Sequence, residues 1–241
     1  MITICKYLAG SHLYNLATEH SDIDYRSIFL NESIGEIIGL NRHDHSVSKS
    51  ETEDNVAYEL RRFLSLLKKT NTQVVEALWV KKYEISHDCF KQLIENRLKL
   101  MDSELFYRSL KGYLFSEYRL AIGQRMGRLG AQRAENIEKF DFSPKNFCML
   151  LRLCQTGIIF FRHGVYPLDL SEFDKDFHKL IFEIKTKPQE FKLEVLTKWA
   201  IEKEKELDLA YQNTKIVTRF DEKLANSIIF DAYMPILEFC G

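Results

Sequence analysis

Residues 10–30, GSHLYNLATEHSDIDYRSIFL, decide the fold of this chain. The preceding residues 2–9 are rich in β-forming side chains and stop at Gly10 and Ser11, which predicts a strand that ends in a tight turn. Residues 22–30 predict a second strand shortly afterwards. The chain therefore begins with a strand, a glycine-containing turn and another strand.

Asp22 and Asp24 project from the same face of the second predicted strand, because successive side chains alternate between faces. Two carboxylates held this close repel one another unless cations lie between them, and hard oxygen ligands suit Mg²⁺ or Mn²⁺. Two such ions about 3.5–4 Å apart stabilise the attacking and leaving oxygens of a phosphoryl displacement. Gly10 allows close backbone approach, and Ser11 with the following N–H groups can donate to phosphate oxygens. An Asp-x-Asp pair alone also fits a polar strand edge, whereas this order of features favours nucleotide chemistry.

Further along the chain the apolar spacing becomes helical. Leu60, Phe63, Leu64 and Leu67 follow the i, i+3, i+4, i+7 pattern of one apolar helix face. The polar residues 43–54 contain a possible third strand with poor periodicity. Further helical patterns cover residues 88–100, 104–135, 144–163, 171–185, 189–213 and 220–239.

The sequence thus predicts an α+β fold with two parts. Residues 1–100 form a head around a small mixed β-sheet, and residues 101–241 form a helical domain packed against it. With 10 Gly and 4 Pro there is no flexible linker between them.

Composition limits the classes of partner. The 34 basic and 35 acidic residues nearly balance, so a nucleic-acid surface must be a local patch. The five cysteines show no CxxC spacing, which indicates reduced thiols in a cytoplasmic protein rather than a zinc or redox site. We find no secretory signal and no apolar run of about 20 residues, so no membrane association is expected. The oligomeric state stays open.

Two segments together resemble a known superfamily, the DNA polymerase β-like nucleotidyltransferases. They are residues 10–30 and residues 58–80, YELRRFLSLLKKTNTQVVEALWV. More narrowly they are similar to the predicted nucleotidyltransferases of the RlaP type, a group named for a proposed role in RNA repair. The first family run is matched by Gly10, Ser11, Tyr14, Ala17, Ser21, Asp22, Asp24 and Arg26. The second is matched by Glu59, Leu60, Arg61, Phe63, Glu76, Leu78 and Trp79. A weaker likeness at 145–170 rests on Lys145, Arg152, Gly164 and Leu168.

Two positions depart from the family pattern. Asn15 stands where the family usually has glycine, and Asn tolerates the left-handed backbone better than most residues, so we expect the turn to persist. Met149 stands where a histidine is expected, which puts any function tied to that position in doubt.

The resemblance implies a third carboxylate, Asp54, that helps to bind the metal ion that lowers the pKa of an acceptor hydroxyl. Asp54 also sits where a helix N-cap belongs. Glu51 and Glu53 are the alternative third ligands. The implied catalytic and metal-binding set is therefore Asp22, Asp24 and Asp54 around two Mg²⁺ or Mn²⁺ ions.

Basic residues supply candidate contacts for the NTP. Arg26 shares the face of Asp24 and either contacts a phosphate or pairs with the acids. Arg61 fits the family pattern, while Arg62 reads as a solvated charge. Lys145 and Arg152, about two helical turns apart, are the candidates from the helical domain.

The function implied is transfer of NMP from an NTP to an acceptor hydroxyl, with an RNA end as the leading acceptor. The predicted helix 104–135 carries arginines that fit either a triphosphate or RNA contact or ordinary solvated charges: Arg119, Arg125, Arg128 and Arg133. Protein or small-molecule acceptors, and a non-catalytic nucleotide-binding protein, are the alternatives. The run His43-Asp44-His45 lacks further spaced ligands and reads as a polar loop.

Overall fold

The structure is a computed structural model that describes residues 1–40, 43–49, 53–124 and 130–239. Its contacts divide the chain into two compact units. The N-terminal unit comprises Met1–Phe106 together with Thr218–Gly241, and the helical unit comprises Tyr107–Val217. No helix in the described ranges is both long enough and apolar enough to cross a membrane.

The N-terminal unit is built around one mixed sheet, which has five strands in the described residues and confirms the predicted α+β class. The strands are β1 (Ile2–Leu8), β2 (Ile23–Leu30), β3 (His45–Lys49), β4 (Glu53–Glu59) and β5 (Ile85–Ser86). Their order across the sheet is β3-β4-β2-β1-β5. Strands β2 and β4 run parallel, while the other neighbouring pairs are antiparallel.

The sequence anticipated β1 and β2 but not the whole of the sheet. The polar stretch that held a possible third strand contains β3 and the start of β4. The predicted change to helical spacing after residue 54 comes too early, because the chain stays extended to Glu59 and pairs with β2 on one side and β3 on the other.

Helices cover the sheet of the N-terminal unit. The helices that precede the helical unit are α1 (Gly10–Leu13), α2 (Ile34–Ile38), α3 (Leu60–Lys68), α4 (Thr72–Val75) and α5 (Asp88–Glu95). The predicted apolar stripe lies on α3 and is confirmed, since Leu60, Phe63, Leu64 and Leu67 are each at most 3% exposed. A 3₁₀ turn, Glu76–Trp79, follows α4 and is buried throughout.

The helical unit contains α8 as its most buried element. It extends over Pro144–His163 and packs against α9 (Lys175–Thr186) and α10 (Leu193–Gln212). The two helices before it are α6 (Ser103–Ala121), which begins in the N-terminal unit, and α7 (Ala131–Phe140).

The single helix predicted over residues 104–135 is wrong. Helix α6 ends at Ala121, and Gly123 follows with φ +72°, a left-handed conformation that stops a right-handed helix. Arg119 therefore lies on α6 and Arg133 on α7. The other two arginines of that cluster, Arg125 and Arg128, lie outside the described residues.

The last helix, α11 (Glu222–Phe239), groups with the N-terminal unit, whereas the sequence placed it in the helical domain 101–241. The Tyr233 hydroxyl donates to Oε1 of Glu59 at 2.6 Å and accepts from the Asn31 backbone N–H at 3.2 Å. Ile228 of the same helix is 1% exposed. These contacts join residues far apart in the chain, so no local pattern could have indicated them.

Candidate active site

One end of the sheet gathers the features that the sequence singled out. Strand β1 ends at this end of the sheet, and both the antiparallel strand β2 and its parallel neighbour β4 begin there. The backbone N–H of Ala9 donates to the carbonyl of Asp24 at 2.7 Å, which fixes the turn after β1 against the start of β2. The turn and the acidic strand are therefore adjacent in space.

Asp54 lies directly beside Asp24. The parallel register of β2 and β4 pairs these two residues, so their side chains project from the same face of the sheet. The alternative that Asp54 caps a helix is wrong, because α3 begins at Leu60 and its N-cap is Glu59, whose carboxylate accepts from the Arg62 N–H at 3.2 Å.

Of the alternative third ligands, Glu53 pairs with Ile23 and so is one residue away from Asp54 along β4. Glu51 lies outside the described residues.

Gly10 is required by the approach of Asp24. Its φ of +61° is left-handed, and a Cβ built there would lie 2.8 Å from Cγ of Asp24 and closer still to Oδ2. The carboxylate thus occupies the space that any other residue's side chain would fill. Ser11 follows at the first turn of α1 and is partly exposed.

The turn persists with asparagine in place of glycine, as expected. Asn15 has φ +55°, which places it in the left-handed region. The Leu16 N–H donates to the Ser11 carbonyl at 2.8 Å and closes the turn. Ser21 forms a local hydrogen bond, since its Oγ accepts from the Thr18 N–H at 2.9 Å.

The three aspartates lie at one end of the sheet, where β2 and β4 begin. Asp22 is exposed and Asp24 half-buried, and within the described ranges neither carboxylate accepts a side-chain hydrogen bond or forms an ion pair. No group of three or more His, Cys, Asp and Glu in those ranges is arranged to hold a metal ion. Asp22, Asp24 and Asp54 lie at the same end of the sheet, and hard carboxylate oxygens are the donors that Mg²⁺ and Mn²⁺ prefer.

Arg26 pairs with an acid, but not with either aspartate. Its Nη1 lies 3.2 Å from Oε1 of Glu76 and donates to the Gln73 carbonyl at 2.5 Å. Burial lowers the pKa of Arg26, but the Glu76 carboxylate and the neighbouring tyrosines outweigh it and hold that pKa above the usual value. The guanidinium is therefore charged and held by Glu76.

Arg61 lies at the opposite end of β4 from Asp54. Its Nε donates to Oε1 of Glu59 at 3.1 Å, and its Nη1 donates to the Ile37 carbonyl. Glu59 is five residues beyond Asp54, roughly 16 Å along an extended strand. The structure does not bring Arg61 to the acids, because the extra strand β4 carries the chain away before α3 begins.

The candidates from the helical domain lie on α8. Lys145 is exposed in its first turn, whereas Arg152 is 3% exposed and its Nη2 donates to the Met149 sulfur at 3.2 Å. Both belong to the helical unit and Asp22, Asp24 and Asp54 to the N-terminal unit, so the contacts within each unit do not join them.

Of the four arginines that fit either a triphosphate or RNA contact or ordinary solvated charges, the two in the described residues contact protein groups. Arg119 donates to the Gln124 carbonyl at 2.8 Å and lies 5.6 Å from the Phe115 ring centre. Arg133 donates to Oδ1 of Asn146 at 3.0 Å.

Two residues without a predicted role, Tyr14 and Glu76, lie beside the site in the structure. Tyr14 donates its hydroxyl hydrogen to Glu76, which is 1% exposed. Burial raises the pKa of the neighbouring Tyr7 well above its usual value, and the charge of Glu76 adds to that shift. Their places in the matched motif were visible, but the contact spans 62 residues of chain.

The N-terminal unit combines a mixed sheet, a Gly-Ser turn beside the acidic strand β2, and a third acid on the parallel strand β4. This arrangement resembles the head of the polymerase β-like nucleotidyltransferases. The family model described as "RlaP: RNA repair pathway DNA polymerase beta family" matches residues 3–120. Over this region the chain is similar to the RlaP-type polymerase β-like nucleotidyltransferases.

One curated relative is an uncharacterized 38.9 kDa protein in the nrdC-mobD intergenic region of Enterobacteria phage T4. It is 34% identical to this chain over 65 residues, which make up 25% of this chain. The matched segment spans 19% of that protein.

Proposed function

We propose that this protein is a metal-dependent nucleotidyltransferase that transfers NMP from an NTP to a hydroxyl at an RNA end. The observation that carries the proposal is the register that sets Asp54 beside Asp24, with the Asp24 carboxylate against Gly10. The family match to residues 3–120 supports the same class of reaction.

The reaction breaks the bond between the α- and β-phosphates and forms a phosphoester bond between the acceptor oxygen and the α-phosphorus. Pyrophosphate leaves, and the acceptor hydroxyl loses its proton. Two bound Mg²⁺ or Mn²⁺ ions would supply charge stabilisation for the attacking and leaving oxygens. Asp22, Asp24 and Asp54 would hold these ions, and their hard oxygens fit that role.

The turn after β1 would hold the triphosphate. Gly10 leaves the backbone open to close approach, and the Ser11 hydroxyl with the N–H groups of the turn can donate to phosphate oxygens. A side chain at position 10 would displace Asp24. Phosphate binding by the turn and metal binding by Asp24 therefore both depend on this glycine.

The net charge of the helical unit supports RNA as the class of acceptor. Residues 107–217 contain 19 Lys and Arg against 15 Asp and Glu, whereas the rest of the chain contains 15 against 20. A net positive helical unit, with Lys145 exposed, suits a polyanionic acceptor. A cytoplasmic location accords with the free thiols of the described cysteines.

The test is label transfer from each of the four α-labelled NTPs with Mg²⁺ or Mn²⁺ and total RNA. We expect label in RNA, lowered at least ~100-fold in Asp22→Asn and Asp24→Asn, because a metal ion supplies several kcal/mol of transition-state stabilisation. Asp231→Asn is the matched control, since Asp231 is an exposed acid on α11. Its rate should equal that of the unaltered chain.

Other results would overturn parts of the proposal. Transfer that persists in the D22A/D24A double variant contradicts the metal-pair mechanism. Label in protein or in a small molecule contradicts the RNA acceptor. Binding of Mg²⁺–NTP without any transfer indicates a non-catalytic nucleotide-binding protein. Transfer to RNA should also weaken steeply with salt, because phosphate contacts release counterions.

A further inference from the structure

Three side chains from distant parts of the chain meet beside the candidate site. The Tyr14 hydroxyl donates to Oε2 of Glu76, and Nη1 of Arg26 lies 3.2 Å from Oε1 of the same carboxylate. We call this set the Tyr14–Glu76–Arg26 network. Arg26 also donates to the Gln73 carbonyl, which ties it to the start of α4.

The network is buried and charged. The side chain of Glu76 is 1% exposed and that of Arg26 is 19% exposed, while Tyr14 is 8% exposed. A buried ion pair gives little net stability, because desolvation offsets the attraction between the charges. Stability alone is therefore a weak reason for a charged pair at this position, where an apolar contact would serve as well.

Each partner of Glu76 is attached to one half of the site. Tyr14 is the C-cap of α1 and follows Ser11 of the Gly10-Ser11 turn by three residues. Arg26 follows Asp24 by two residues on β2, so the two share a face of the strand. Glu76 lies on the 3₁₀ turn and contacts both. The carboxylate thus connects the phosphate-binding turn to the strand that carries the metal-binding acid.

We propose that Glu76 is a positioning residue that holds the Gly10-Ser11 turn in register with Asp24. A turn held in this register would place the triphosphate that it binds beside the carboxylates. In this arrangement the Arg26 guanidinium pairs with Glu76 and does not contact a phosphate. This inference rests on the proposed nucleotidyltransferase function.

The first test compares Tyr14→Phe with Tyr233→Phe. Each variant keeps the ring and removes one buried tyrosine–carboxylate hydrogen bond in the N-terminal unit, and Tyr233 bonds to Glu59 at the far end of β4. Y233F also leaves the Asn31 N–H without its acceptor, so it should lower the urea midpoint at least as much as Y14F does. Only Y14F should lower kcat for label transfer, by about 10-fold with KM within about 2-fold, because misplaced reacting groups slow the chemical step.

The second test is a double-mutant cycle between Y14F and Glu76→Gln. If both residues act through one arrangement, the Y14F/E76Q variant is no slower than E76Q alone. Independent structural roles would instead give additive losses. Additive losses, or equal kcat values for Y14F and Y233F, overturn the positioning role.

Failure of the proposed function and failure of the positioning role give different results in these assays. The transfer rate of the unaltered chain is measured first, and a chain that transfers no label overturns the proposed function and the inference with it. A chain that transfers label, with Y14F as fast as Y233F, overturns the positioning role alone.

Discussion

Replacing Gly10 by alanine tests the centre of the site. The residue has φ +61°, and a left-handed conformation costs an L-residue about 1–2 kcal/mol. The new methyl would lie 2.8 Å from Cγ of Asp24, so the carboxylate must move. Because the carboxylate is the free end of a side chain, it can rotate away at small cost to the fold. The loss should therefore appear mainly in activity.

We expect G10A to lower the free energy of unfolding by about 1–2 kcal/mol, a Tm shift of roughly 2–4 °C for each kcal/mol in a chain of this size. The rate of label transfer should fall on the order of 100-fold, because an acid displaced by about 1 Å no longer holds the reacting groups in place. Urea unfolding and initial transfer rates measure the two effects separately.

Gly112→Ala is the matched control. Gly112 lies within α6, and a Cβ there meets nothing within 4 Å. Alanine should raise stability by about 0.5–1 kcal/mol and leave transfer unchanged. The reasoning about Asp24 is refuted if G10A transfers label at the rate of G112A. It is also refuted if the G10A loss is fully explained by the fraction of unfolded protein at the assay temperature.

Two further predictions concern stability. Asn15 has φ +55°, so Asn15→Ala should lower the free energy of unfolding by about 1 kcal/mol. Asn15→Gly should leave the free energy of unfolding equal or higher. Urea midpoints that rank the two variants the other way contradict this prediction. Burial raises the pKa of Cys5 to about 12 and that of Cys89 to about 11. The folded state keeps these protons when the unfolded chain loses them, so this contribution is full below about pH 8.5 and falls as the pH rises towards 11–12. The urea midpoint should be lower at pH 10 than at pH 8, by less in the C5A/C89A variant, and an equal drop in both chains would refute the assignment.

Several features of the site could be read from local sequence because their physical cause is local. The left-handed turn depends on Gly10 and Asn15 themselves. The predicted strand 22–30 is nearly right, but β2 begins at Ile23, so Asp24 lies on the strand and Asp22 immediately before it. The apolar stripe of α3 likewise follows from spacing within one helix. These predictions needed no knowledge of distant contacts.

Strand β4 could not be recognised from its own residues. Its sequence, EDNVAYE, is polar and short, and it is a strand because β2 and β3 supply hydrogen bonds on both sides. Because the sequence analysis did not recognise β4, it allowed Asp54 to be a helix N-cap and took Arg61 as a contact for the NTP. In the structure Asp54 is paired with Asp24, and Arg61 lies at the other end of the strand.

The sequence by itself determined the elements whose periodicity is complete within one segment, the acidic pair and the turn before it. The tertiary structure decided which of these elements meet: Asp54 beside Asp24, Glu76 between Tyr14 and Arg26, and α11 against Glu59. Backbone preference acts over a few residues, whereas strand register and burial of a charge depend on partners tens to hundreds of positions away. Only the folded chain brings those partners together.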